Sequence, residues 1–144
     1  MDIVSWMYVS KSLIAPERGA DVLDDIVAVA RRRNQELDVT GCLIFARNRF
    51  AQILEGPIGA LTQLKKDIEA DGRHADLVAI EVPSQNARRF SGWSLTYAGP
   101  SCFVERMMEE AITKAALRDR EAIKDLLEMM EQFASPIPPI AESR

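Results

Sequence analysis

The chain has 144 residues, 47% apolar and 28% charged, which suffices for one domain with its own core. Its 18 lysines and arginines stand against 22 carboxylates, a formal net charge of −4 with no basic stripe, so nucleic acid and membrane partners are not expected. No apolar run reaches the roughly 20 residues of a membrane span.

In chain order, residues 3–10 (IVSWMYVS) are rich in β-branched and aromatic side chains and predict a strand. Residues about 18–35 predict a helix, with Val22, Ile26, Val27 and Ala30 on one face. Residues 39–46 and 49–55 predict two strands joined at Arg47-Asn48 by a two-residue turn. Pro57 opens a second helix over about 58–70, with Leu61, Leu64 and Ile68 on one face, and Asp71-Gly72 ends it. Residues 76–83 and 93–98 predict the last strands. This βαββαββ order predicts an α/β sandwich of ferredoxin-like type, a mixed sheet with both helices on one face. Beyond Gly99-Pro100, residues about 103–116 and 119–133 carry apolar side chains at helical spacing and predict a hairpin; the tail SPIPPIAESR predicts extended chain. The expected division is 1–100 as the sandwich and 101–144 as hairpin and tail. Ala51 and Ile53 fall on the sheet face that the first two helices leave open, so the hairpin, or a partner subunit, is expected to cover it.

MDIVSWMYVS lacks the basic stretch and cleavage site of a signal peptide. Cys42 and Cys102 form no disulfide framework and fit a reducing cytoplasm; with the single histidine, His74, they make no zinc set.

Gln52 is a polar amide in an otherwise apolar strand, sharing one face with Phe50 and Leu54. Leaving a buried amide unpaired costs roughly 1–3 kcal/mol. Two readings stand: a core glutamine satisfied by a neighbour such as Tyr8, or a ligand contact. Tyr8 alone reads as a core tyrosine with a bonded hydroxyl, and Asn34 as a helix-end residue.

In combination these residues carry a resemblance. WMYVS, the N-x-x-x-x-x-T-G of NQELDVTG, FAQILEGP, the D-x-R-H of DGRH and the R-x-F-x-x-W of ARRFSGW make residues about 3–98 resemble a BLUF domain, the blue-light sensor family that binds FAD non-covalently. The resemblance implies FAD as cofactor, with FMN or riboflavin as alternatives. It implies that Ile26 and Ile68 sandwich the isoalloxazine ring and that Asn34 bonds its polar edge. Leu43, Phe50 and Leu54 would form apolar wall, and Asp71, Arg73 and His74 would lie near the outer edge and the ribityl-phosphate chain. Tyr8 would donate an electron, Gln52 would rearrange its hydrogen bonds, and Trp93 would help report the change. It further implies a stand-alone photoreceptor rather than an enzyme, with a homo-oligomer or an unidentified signalling protein as output partner.

Three positions depart from the family's pattern: Leu95 for a methionine, Arg33 for an asparagine and Ala30 for a small polar residue. The run Arg31-Arg32-Arg33 also suits a solvated helix C-terminus. Two other functions stay open on the residues alone. One is a small flavin-dependent or acylphosphatase-like enzyme, for which no paired carboxylates or phosphate loop are visible. The other is a flavin-free interaction module on the same fold.

Overall fold

The computed structural model describes residues 3–83, 87–91, 96–98 and 105–134. Strand β1 (Val4–Ser12) leads through a 3₁₀ turn (Pro16–Arg18) into helix α1 (Gly19–Glu36). Strands β2 (Thr40–Ala46) and β3 (Arg49–Gly56) follow, then α2 (Ile58–Glu69), β4 (His74–Ile80) and β5 (Thr96–Ala98). Helices α3 (Glu105–Ala116) and α4 (Arg120–Ala134) complete the order. The sheet runs β4-β1-β3-β2-β5, antiparallel except for the β2–β5 pair. This is the expected ferredoxin-like mixed sheet: each of β1-α1-β2 and β3-α2-β4 straddles a strand of the other unit.

The sequence explains the local geometry. Arg47 and Asn48 both have positive φ, 45° and 67°, as a type I′ hairpin requires, so the tight turn forms without glycine. Pro57 caps α2 from an extended conformation, where its missing N–H costs nothing. β4 starts at His74, two residues before the expected start. Asp76, at φ 55°, forms a bulge that shifts the register against β1 and lets the strand begin earlier. It ends at Ile80 rather than 83, shortly before Pro83, which cannot donate to a ladder. On α1, Val27 is buried and Ala30 packs on the same core as expected, while Leu23 takes the core position expected of Val22, which is only half-buried.

The sheet separates two cores. On one face, Leu23 and Val27 of α1 pack with Leu43, Phe45 and Phe50, and Leu61 and Leu64 of α2 pack with Val39 and Leu54. On the other, Met7, Val9, Cys42, Ile44, Ala51 and Ile53 meet Met108, Ile112, Leu126 and Met130 of the helical hairpin. The hairpin of this same chain thus covers the face on which Ala51 and Ile53 were expected. Burial there pushes the Cys42 thiol up to about 12.

Gly41, in the T-G of the motif, has no room for a side chain: a Cβ there would lie 2.2 Å from the Ile53 carbonyl oxygen. Gly41→Ala is expected to lower the unfolding free energy of the flavin-free protein by about 1–3 kcal/mol. Gly59→Ala, with nothing within 4 Å, should leave it unchanged or slightly raised. Urea unfolding monitored by circular dichroism checks this, and equal midpoints for the two variants would count against the contact.

Candidate functional site

Pairing register builds the site. Tyr8 on β1 lies opposite Gln52 on β3, and Gln52 lies opposite Leu43 on β2, so the three form one row across the middle of the sheet. All three side chains point to the face that carries α1 and α2 and line a cavity of about 260 Å³ flanked by those helices. That volume is just below the roughly 300–1,000 Å³ of typical ligand sites, which suits a ring system whose substituents run out to solvent.

The Tyr8 hydroxyl donates to Gln52 Oε1 at 2.6 Å, a short bond between two buried groups. The bland reading of Gln52 is therefore half right: its oxygen is satisfied by Tyr8. With that end engaged, the amide N–H₂ is the end left for a ligand. Burial, and secondarily the Asp71 carboxylate, hold the Tyr8 phenol well above the ordinary tyrosine range, so it stays protonated at physiological pH.

Every expected cofactor contact lines the cavity. Ile26 comes from α1 and Ile68 from α2; Leu43, Phe50 and Leu54 form the sheet wall, and Asn34 stands buried near the end of α1. Asp71, Arg73 and His74 line it from the segment after α2. Arg73 donates through Nε and Nη2 to both Asp71 oxygens, at 3.0 and 2.7 Å, which holds the Asp71 carboxyl below the usual range. His74 is committed to the fold. Its Nε2 lies 2.7 Å from the Ile68 carbonyl, which can only accept, so Nε2 donates there, and Nδ1 lies in hydrogen-bond contact with Ser10 Oγ at 2.8 Å. The imidazole offers the cavity its ring, edge-on to Tyr8 and Phe50, rather than a free nitrogen. Trp93 and Leu95 lie outside the described residues.

Asp25, Val29, Leu64 and Asp67 also line the cavity and were not foreseen as site residues. Their signal is helical phase, since Val29 follows Ile26 by three and Leu64 precedes Ile68 by four. Asp67 adjoins Ile68 and forms an ion pair with Arg33, joining the two helices beside the cavity. Arg33 thus does more than solvate a helix end. Trp6, two residues before Tyr8, stacks on it at 4.9 Å between ring centroids, under the Lys65 ammonium.

This geometry accompanies a family match: the model for BLUF, "Sensors of blue-light using FAD", covers residues 3–96. The chain belongs to the BLUF family. It is 32% identical over 114 residues to the blue light- and temperature-regulated antirepressor BluF of Escherichia coli, covering 79% of this chain and 27% of that protein. It is 39% identical over 77 residues to photoactivated adenylate cyclase subunit beta of Euglena longa, covering 53% of this chain and 9% of that one. The chain therefore spans about a quarter or less of these curated relatives. Among solved structures it resembles the dark state of the BLUF protein BlrB, at TM-score 0.71 and 28% identity over 92% of this chain and 96% of that one. It also resembles photo-activated BlsA, at TM-score 0.74 and 25% identity over 91% and 95%.

FAD is the family's cofactor, and the BLUF cavity fits the flavin ring. Its apolar lining is drawn from two helices and a sheet, and its buried amides, Gln52 and Asn34, are of the kind that bonds the polar edges of a flat heteroaromatic ring. Side chains of the Arg33–Asp67 pair are 37% and 38% exposed, so Arg33→Ala should change stability by less than about 1 kcal/mol. It should nevertheless speed FAD release by opening the join between α1 and α2. Fluorescence recovery on dilution measures the release; a rate equal to wild type would remove this role.

Proposed function

We propose that this chain is a signalling photoreceptor, not an enzyme, whose switch is the Tyr8–Gln52 pair. FAD, when bound, supplies the light-absorbing ring and, once excited, the electron acceptor. Tyr8 is the donor. Its phenol is protonated in the dark, and loss of an electron makes the hydroxyl acidic. The proton leaves along the 2.6 Å bond through Gln52; electron and proton would both be taken up by the bound flavin and later return to Tyr8, so that Gln52 ends neutral. The Gln52 amide, both donor and acceptor, responds by changing which end it offers to Tyr8 and which to the ligand, without a change of net charge. A new bond from Gln52 to the bound flavin would redistribute its charge and shift its absorption. Ile26 and Ile68 hold the ring between the helices, Asn34 bonds its polar edge, and Leu43, Phe50 and Leu54 exclude water. Trp93 helps report the change. The single observation that carries this reading is the buried Tyr8–Gln52 hydrogen bond inside the cavity.

An enzyme would need free acid–base groups here. His74 has both nitrogens engaged, and Asp67 and Asp71 are each paired with an arginine. These three groups are committed to the fold, and Asp25 is the remaining carboxylate among the described residues of the cavity wall.

The signal leaves by the opposite face of β3. Glu55, 1% exposed, accepts from the backbone N–H groups of Arg89 (2.8 Å) and Phe90 (3.1 Å). The Arg89 guanidinium lies 3.5 Å from Glu55 and, without hydrogen-bond geometry, 3.4 Å from Glu131 on α4. A shift of β3 around Gln52 is thus passed to the hairpin. We place the protein in the cytoplasm, which suits the free, buried Cys42; no described helix is long and apolar enough to cross a membrane. Its output goes to a protein partner or a homo-oligomer, a reading supported by the naming of one relative as an antirepressor.

Purified protein with FAD should be yellow, shift its absorption to the red under blue light and recover in darkness. Tyr8→Phe should retain FAD and lose that normal shift. A wild-type photocycle in the variant, recorded by the same dark and illuminated spectra, would show that Tyr8 is not the donor.

A further inference from the structure

The inner faces of α3 and α4 are used up against the sheet, but their outer faces meet in a second depression of about 390 Å³. Its apolar lining is Met107, Ala111, Ala122 and Met129, and Met107 is 60% exposed. Met107 and Ala111 lie four residues apart on α3, and Ala122 and Met129 seven apart on α4, about one and two turns, so the depression is a groove along the hairpin rather than a pit. Its polar lining is one-sided. Glu110, Asp119, Glu121, Asp125 and Glu128 contribute carboxylates, against the single ammonium of Lys114, which already pairs with Glu110 at 3.3 Å. Asp119 also caps α4 through the Glu121 N–H, so its charge is held in place. The nearby Arg118 is turned away, donating to the Ala79 carbonyl on β4.

We propose that this groove docks a basic amphipathic helix of a partner protein. An apolar floor of unbranched, polarizable methionine adapts to a helix laid along it. A carboxylate rim selects lysine and arginine on that helix's polar edges and steers its approach. A second copy of this chain is a poorer occupant in a groove-to-groove arrangement, which would bring two carboxylate rims together. The inference rests on the reading that the hairpin carries the output. α4 presents Glu131 toward Arg89 on one side and Glu121, Asp125 and Glu128 toward the groove on another. A movement delivered through Arg89 therefore reaches the helix that forms one wall.

The test uses the full chain with FAD, in darkness and under blue light. The probe is a labelled helical peptide of about 20 residues with leucine on one face and lysine on the other; its counterpart carries glutamate for lysine. Fluorescence anisotropy should show the basic peptide binding at least about tenfold tighter than the acidic one, with affinity falling as salt rises. Glu121→Lys with Asp125→Lys should cost the basic peptide at least about tenfold, whereas Asp21→Lys with Asp24→Lys on the exposed side of α1 should not. Equal binding of both peptides, or full affinity in the groove variant, overturns the proposal. So does wild-type self-association that the groove variant abolishes, since the occupant is then a second copy. The photocycle is read on the same samples. A normal red shift without peptide binding sinks the groove alone, and binding without a red shift sinks the photochemical reading alone.

Discussion

β3 lies between β1 and β2, and its side chains alternate between two environments that must both stay dry. Phe50, Gln52 and Leu54 face the flavin cavity, while Ala51, Ile53 and Glu55 face the helical hairpin. Side chains on a strand repeat every two residues, so neither set can slide without exchanging faces with the other. One strand therefore fixes the position of the Gln52 amide and of the hairpin's core together. The Tyr8–Gln52 bond depends on this register, because only direct pairing of β1 with β3 brings the two side chains opposite each other.

Polar groups are rationed accordingly. The cavity face keeps two buried amides, at Gln52 and Asn34, among apolar neighbours. The hairpin face keeps one buried carboxylate, Glu55, whose desolvation is offset by two backbone N–H donors and the Arg89 guanidinium. A neutral donor–acceptor pair thus stands on one side of the strand and a charged, fully bonded group on the other.

Much of this was legible in the sequence because the signals were periodic or local. Strand alternation placed Gln52 with Phe50 and Leu54, and the resemblance to the family implied Asn34, Asp71 and Arg73 around one site. The rest depends on partners distant in the chain. Arg33 and Asp67 are separated by a whole hairpin, so Arg33 read only as a departure and a helix-end charge. Glu55 read as part of a motif, and its partner Arg89 lies in a loop with no period of its own. His74 lines the cavity as expected, but that Ser10 and Ile68 engage both its nitrogens depends on distant partners that no local pattern shows. Leu23 was missed because an 18-residue helix with two apolar flanks, one for the core and one for the cavity, has no single phase to read.

Cys42 shows what the two-sided sheet implies for the molecule's chemistry with its surroundings. It sits in β2 on the hairpin side, wholly enclosed, with its thiol held protonated by burial. The thiolate is the form that reacts with oxidants and alkylating agents. This sulfur is therefore silent while the hairpin stays seated, and it becomes reactive only when α3 and α4 lift from the sheet or the sheet itself opens. The chain thus carries a built-in clock for that opening, independent of the flavin's colour.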